Sequence, residues 1–315
     1  MNLAAAQPTP LAPAVPVWLD ALARELSPAS RLRRGVPLAP LTTLRVGGPA
    51  DVLIEPADEA DLARVWRACR QAGVPVLVLG CGSNLLVRDG GFRGVVVRLT
   101  PRAFGGVIVR GDRLDCGAAA GLRAVAAVAL KHGLGGLEFL AGIPGSVGGA
   151  LRMNAGAMGR SMFDVVERVR SVDSEGRVSE QPAGELGAGY RSCPGLEGRL
   201  VLGAVLRGQV DEPQAVRQRI RELNRRRWQS QPSAPSAGCV FKNPDRLPAG
   251  RLIDELGLKG TRVGGARVSE QHANFIVTEA GATAGDVLAL IELIRRRARE
   301  ARGIELETEV QIVGE

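Results

Sequence analysis

Histidine is nearly missing from this chain, with only His132 and His272 among 315 residues. A metal centre built on imidazole is therefore not expected, and no metal is assigned. Cysteine is sparse and odd in number: Cys69, Cys81, Cys116, Cys193 and Cys239, with no CxxC pair. That argues for a reducing compartment and against a disulfide framework or a zinc site. Aromatic residues make up 3% of the chain and include a single tyrosine, Tyr190. Stacking platforms for nucleic-acid bases are correspondingly scarce, and no helix-turn-helix or zinc signature is present. No apolar run approaches the roughly 20 residues needed to span a bilayer. The N-terminus lacks a basic segment ahead of its apolar residues, so no signal peptide is expected and the cytoplasm is the expected location. Lysine is limited to Lys131, Lys242 and Lys259, so the formal net charge of +8 is carried by arginine. Arginine- and alanine-rich usage can reflect nucleotide bias in a genome, yet a basic surface still attracts phosphorylated ligands.

Glycine, by contrast, is abundant and clustered. From Gly133 to Gly156 the chain reads GLGGLEFLAGIPGSVGGALRMNAG, one third glycine. Such density is unsuited to the interior of a helix or strand, where glycine costs backbone entropy and packs nothing. It suits a backbone surface against which something flat or anionic lies. A second such stretch is VLVLGCGSNLLV, from Val76 to Val87. In a Rossmann-type fold a helix should open after the glycine turn, but no helical pattern follows Asn84. Two readings of GCGSN stand side by side: a bare hairpin turn, or a nest of backbone N–H groups around a pyrophosphate, helped by Ser83 and Asn84. In IPGSVGG, Pro144 and Gly145 alone could form a turn. Gly142, Gly148 and Gly149 would then be unexplained, and close approach of a ring system accounts for them.

The pattern predicts an α+β chain in several units. Residues 1–16, rich in alanine and proline, read as a flexible tail. A first unit spans 17–98. It opens with a short helix over 17–34 that ends in the cluster Arg31, Arg33 and Arg34. A strand–turn–strand segment follows from Leu41. Next comes a helix capped by Asp58 and closed by Gly73, with Leu62, Val65, Trp66 and Cys69 as its apolar stripe. A second unit spans 99–210, with an alanine-rich helix over 121–132 and a hairpin over 165–180 turning at Ser174, Glu175 and Gly176. A third unit spans 211–315. Its opening helix, Arg217 to Arg227, leads into the Ser/Pro-rich link SQPSAPSAG. A helix over about 284–301 and a strand over about 305–313 close the chain.

Taken in order, TTLRVGGPAD, GCGSNLLVRDGGFRG, GLEFLAGIPGSVGGALRMNAGA, YRSC, PSAGCVFKNP and ELETEVQIVG resemble the UDP-N-acetylenolpyruvoylglucosamine reductase family. The resemblance runs from about Leu41 to Glu315. It implies a two-lobed FAD-binding region of the vanillyl-alcohol-oxidase type and a C-terminal α+β domain that closes over substrate. The implied reaction is reduction of UDP-N-acetylglucosamine enolpyruvate to UDP-N-acetylmuramate, with NADPH first reducing a noncovalent FAD. A monomer is expected. The short spacing between Tyr190 and Cys239 resembles the family's compact class, which lacks an extra substrate-capping loop.

The resemblance also implies roles for individual residues. Gly80, Cys81, Gly82, Ser83, Asn84 and Leu85 would hold the cofactor from the first glycine turn. Gly142, Ile143, Pro144, Gly145, Ser146 and Gly149 would do so from the second, joined by Gly117, Asn154 and Gly156. Arg191 would meet the substrate carboxylate, where a guanidinium fork fits two oxygens at once. Glu309 would stabilise the enol by sharing a proton with that carboxylate. Cys239 stands where serine is commoner and would protonate the carbon beside the carboxylate. With a thiol reference pKa of about 8.5, it is expected to be mostly protonated at neutral pH and open to peroxide. Tyr190, Lys242 and Asn243 would contact substrate.

Without the resemblance, Cys239 reads as a small buried hydrophobe, Arg191 as a surface arginine and Glu309 as an exposed edge-strand residue. His132 reads as a helix terminator; His272 is either a packing residue or a phosphate contact. Two rival functions compete with this reading. A flavin-linked alcohol oxidase is disfavoured because the glycine turns hold no histidine for flavin attachment. A nucleic-acid binder is disfavoured because aromatics are few.

Overall fold

A computed structural model describes residues 17–245 and 247–315; the expected tail at 1–16 lies outside them. The first lobe comprises α1 (Val17–Glu25), β1 (Arg31–Pro37), β2 (Pro49–Glu55), α2 (Glu59–Gln71), β3 (Val76–Leu79), β4 (Leu85–Val87) and β5 (Phe92–Arg98). Its sheet has the order β1-β2-β5-β3, with β2 and β3 both parallel to β5. α2 forms as its caps predict. Asp58 accepts the Asp61 N–H at 2.9 Å, and Leu62, Val65, Trp66 and Cys69 are all buried. Burial of each large member of that stripe contributes about 1.5–3 kcal/mol.

The first expected helix is shorter than its pattern implies. α1 stops at Glu25, and Arg31, Arg33 and Arg34 lie on β1. Pro28 disfavours helical continuation. The buried carboxylate of Asp61 then takes the Ser27 N–H at 3.1 Å and the Ser30 hydroxyl at 2.7 Å, which turns the chain. The arginines suit an exposed edge strand, where charge discourages pairing with another chain. The expected strand–turn–strand from Leu41 is also corrected. Only its second half is a strand, β2. Thr42–Gly48 is irregular because Leu44 and Val46 leave the first lobe and are buried in the C-terminal core.

The second lobe comprises α3 (Pro101–Phe104), β6 (Val107–Arg110), β7 (Arg113–Gly117), α4 (Leu122–Lys131), β8 (Leu134–Gly135), α5 (Val147–Arg152), β9 (Gly156–Ala157), β10 (Arg160–Ser161), β11 (Val166–Val172), β12 (Val178–Pro182), β13 (Leu200–Arg207), β14 (Gln209–Val210) and α6 (Pro213–Ser230). Its antiparallel sheet runs β12-β11-β13-β7-β6. The hairpin expected over 165–180 is β11–β12, and His132 caps the C-terminus of α4. α5 runs through the segment judged too glycine-rich for a helix. Tertiary bonds override propensity there: the N–H groups of Val147 and Gly148 donate to Ala120 and Ala118 at 2.9 and 2.8 Å. A β-carbon on Gly148 would crowd Ala118 at 3.2 Å, so this glycine answers to packing. Both lobes share one apolar core.

The C-terminal unit comprises β15 (Ser236–Cys239), α7 (Ala249–Glu255), β16 (Arg262–Val263), β17 (Ala266–Val268), β18 (Phe275–Thr278), α8 (Ala284–Arg302) and β19 (Gln311–Val313), with sheet order β15-β18-β17-β16. Two expectations change here. α6 packs on the second lobe: Val216 is buried, Ile220 packs against the lobe core, and Arg219 pairs with Glu138. The packing thus changes after Ser230, not at 211. The closing strand is confined to β19, because the segment before it runs across the site and bridges only Thr308 to Phe241. β19 pairs in parallel with β4 of the first lobe. Among the described residues no helix is long and apolar enough to cross a membrane.

Candidate active site

The two glycine turns meet. A β-carbon on Gly80 would stand 2.8 Å from the Ser146 hydroxyl, and one on Gly145 would stand 3.5 Å from the Ser83 hydroxyl. Gly82, at φ +60°, is required by the protein's own backbone, since a side chain would strike Leu41 and Thr42. Gly142 is different: a β-carbon there would meet nothing within 4 Å. Nothing in the protein demands a glycine at that position, so the bare backbone leaves room for another molecule. Among the described residues, the N–H groups of Cys81, Gly82, Ser83 and Asn84, and those of Gly145, Ser146 and Gly149, have no protein acceptor. Converging unpaired N–H groups form an anion-binding concavity. The residues present therefore fit the pyrophosphate and ring of a flavin dinucleotide.

The remaining expected cofactor residues divide. Leu85, on β4, is buried, while Ile143 and Pro144 border the second turn. Gly117 is fixed by contact with the Phe104 carbonyl. The Asn84 amide is committed within the protein, donating to the Glu309 carbonyl at 3.1 Å. Asn154 and Gly156 do not sit at the glycine turns. They line a cavity of about 430 Å³ beside Tyr190 and Arg191.

Arg191 occupies a tight turn closed by bonds between Gly189 and Ser192, and it holds φ +54°. A left-handed arginine costs about 1–2 kcal/mol and persists only where the surroundings enforce it. Asn154 supplies part of that enforcement: its amide donates to the Gly189 carbonyl at 2.9 Å and accepts the Phe163 N–H at 3.1 Å. The Arg191 guanidinium lies 5.2 Å from the centre of the Tyr190 ring. Its Nε stands 2.6 Å from Glu309 Oε1, a largely buried ion pair.

Glu309 is mostly buried, contrary to its reading as an exposed edge residue. Its backbone N–H donates to Val240 at 2.8 Å, which places it against Cys239. Burial pushes its carboxyl above the usual carboxylate range, while Arg191 and Lys242 pull the other way. Cys239 ends β15 opposite Phe275. Burial, then the Glu309 charge, push its thiol up to about 12, opposed by Arg191 and the Asn274 amide. A thiol so placed is held protonated at neutral pH, and because thiolate is the reactive form, this weighs against the expected sensitivity to peroxide.

Lys242 pairs with Glu307 at 3.0 Å. The Asn243 side chain accepts the Ala249 N–H at 3.1 Å, and its backbone N–H donates to the Tyr190 hydroxyl at 3.3 Å. Both residues stand at the rim. Asn274 is the residue that sequence reasoning missed. Buried, it clamps Phe241 through N–H and carbonyl at 3.0 and 2.8 Å and so fixes the strand that carries Cys239. His272 packs on Phe275 at 4.8 Å and accepts the Asn274 N–H, which favours its packing role.

Residues 231–313 match the family described as UDP-N-acetylenolpyruvoylglucosamine reductase, C-terminal domain, and residues 50–180 match an FAD binding domain family. The reductase of Rhodospirillum rubrum is 48% identical over 290 residues, covering 90% of each chain. That of Acidiphilium cryptum is 45% identical over 302 residues, covering 96% of this chain and 97% of its own. The crystal structure of the reductase from Thermus caldophilus superposes with a TM-score of 0.80 at 40% identity, over 90% of this chain and 100% of that one. The chain belongs to the UDP-N-acetylenolpyruvoylglucosamine reductase family, FAD-dependent oxidoreductases of peptidoglycan precursor synthesis.

Proposed function

We propose that this enzyme takes electrons from NADPH and reduces UDP-N-acetylglucosamine enolpyruvate to UDP-N-acetylmuramate in the cytoplasm. The observation that carries the mechanism is the meeting of Arg191, Cys239 and Glu309, drawn from three distant stretches, with Arg191 and Glu309 paired at 2.6 Å. FAD, when bound, supplies the hydride for the terminal carbon of the enolpyruvyl double bond. Arg191 binds the substrate carboxylate and neutralises the negative charge that develops beside it. Glu309, with its proton affinity raised by burial, shares a proton with that carboxylate and favours the enol. Cys239, held protonated, delivers its proton to the carbon next to the carboxylate. Tyr190, Lys242 and Asn243 form the rim that receives the sugar nucleotide.

Anaerobic reduction by NADPH, followed by the enolpyruvyl sugar nucleotide, tests the reading. Rapid flavin re-oxidation by that compound, and not by simple enol ethers, is expected; no re-oxidation would refute the proposal. Cys239→Ser should retain substantial turnover. Cys239→Ala should lose about 10²–10⁴-fold, the usual contribution of a positioned acid. An alanine variant with full activity would remove Cys239 from the mechanism.

A further inference from the structure

Glu309 stands outside regular strand structure, two residues before β19. Its carboxyl is nevertheless held 2.6 Å from Arg191. β19 pairs in parallel with β4, beginning at Gln311 opposite Leu85. The first bond of this ladder runs from the Gln311 N–H to the Asn84 carbonyl, at 3.1 Å. In a continued parallel ladder the next bond back would run from the Asn84 N–H to the Glu309 carbonyl. The chain makes that bond differently. The Asn84 side-chain amide donates to the Glu309 carbonyl at 3.1 Å. The backbone N–H of Asn84 is left without an acceptor among the described residues.

This exchange lets one residue serve two places. Its free N–H stays at the first glycine turn, beside the unpaired N–H groups of Cys81, Gly82 and Ser83. Its side chain reaches across to the segment that carries Glu309. That segment is pinned on its other side as well. The N–H groups of Glu309 and Val310 donate to the Val240 carbonyl at 2.8 and 3.3 Å, next to Cys239. The Gln311 side chain adds a bond to the Glu309 carbonyl at 3.3 Å from an exposed position. Asn84 is the member of this set that ties Glu309 to the first lobe.

We propose that Asn84 is a positioning residue for Glu309, its amide replacing a ladder bond so that the cofactor turn and the site carboxyl share one fixed frame. This rests on the role proposed above for Glu309. A carbonyl can only accept a hydrogen bond, so the residue at 84 must bring a side-chain donor of this reach. Asparagine does so and also suits a turn. The effect belongs to the step in which substrate is protonated, because Glu309 acts there and not in the reduction of FAD.

The test uses the full chain with Asn84→Asp, which keeps the shape but has no N–H to donate when ionised, and Asn84→Ala, which brings no charge. The two half-reactions are followed separately on flavin-saturated protein. Flavin reduction by NADPH should stay within about 3-fold of the unmodified rate. Re-oxidation by the enolpyruvyl sugar nucleotide should slow by about 10- to 100-fold, the scale expected when a reacting group is slightly misplaced. Asn84→Ala combined with Glu309→Gln should be no more than about 2-fold slower than Glu309→Gln alone, since the group being positioned is already gone. Without flavin, amide exchange at Glu309 should quicken by about 10-fold or more in both variants, while Gln311, bonded to the backbone carbonyl of residue 84, stays protected. Equal slowing of both half-reactions, multiplied losses in the double variant, unchanged exchange at Glu309 or an equal loss of protection at Gln311 would overturn the proposal. Undiminished re-oxidation in Glu309→Gln alone would instead refute the role of Glu309, a separate result.

Discussion

The C-terminal unit meets the two lobes in different ways. Its contact with the first lobe is apolar and backbone-bonded. Leu44, Val46 and Leu86 are buried in its core, β19 pairs with β4, and Asp89 accepts the first N–H groups of α8 at 2.8 Å. Its contact with the second lobe is polar: Arg191 to Glu309, Asn243 to Tyr190, and Gln271 to the Trp228 carbonyl. No residue of the second lobe enters the C-terminal core among the described residues. Apolar burial fixes position, whereas sparse polar contacts at a wet seam contribute little net stability. The enzyme thus carries Glu309 and Cys239 on a unit fastened to the first lobe. It presents Arg191 from the second lobe across this polar seam.

Breaking the fastened side should have the largest effect. Leu86→Ala should destabilise the protein by about 2–5 kcal/mol, the usual cost of emptying a buried leucine site; urea unfolding would measure it. Asp89→Ala removes two acceptors at the start of α8. It should cost about 1 kcal/mol by the same measurement. On the other side, Tyr190→Phe removes one long hydrogen bond from an exposed ring. It should change unfolding stability by less than about 0.5 kcal/mol. If Tyr190→Phe cost as much as Leu86→Ala, the contrast between the two contacts would be wrong.

The seam should also show in pH dependence. Glu309 has its pKa raised in the folded state. Its contribution to stability is therefore fully present below the unfolded value and is lost as pH rises through the folded one. Glu309→Gln removes that titration. The melting temperature of the variant, measured against the unmodified protein, should improve as pH rises across this window. A difference that is flat with pH would contradict the raised pKa.

Local features of the fold were legible in the sequence, while long-range pairings were not. Asp58 and Gly73 delimit α2, and its apolar stripe names its buried face. The pairing of β4 with β19 leaves no periodic trace, because three-residue strands joined across the whole chain have no local pattern. Arg31, Arg33 and Arg34 misled as a helix end because charge marks an exposed edge strand equally well. At the site, the motifs around Arg191, Cys239 and Glu309 pointed to three residues that lie together in the fold. They did not reveal that Arg191 and Glu309 face each other across the seam. Asn84, Asn154 and Asn274 act by holding backbone, a role that residue type alone does not announce. The run Arg225 to Arg227 hides from the sequence which of the three arginines turns inward; in the fold Arg227 Nη1 is buried.

The central claim is that one contact is fixed while the other opens to substrate. Amide hydrogen exchange with and without the sugar nucleotide tests it most directly. The N–H groups of Arg88 and Gln311, which bond β4 to β19 and its approach, should be strongly protected in both states. Those of Gly189 and Ser192, which close the Arg191 turn, should exchange quickly when free and slow on binding. Rapid exchange at Arg88 and Gln311, or protection at Gly189 and Ser192 that does not respond to ligand, would contradict the account.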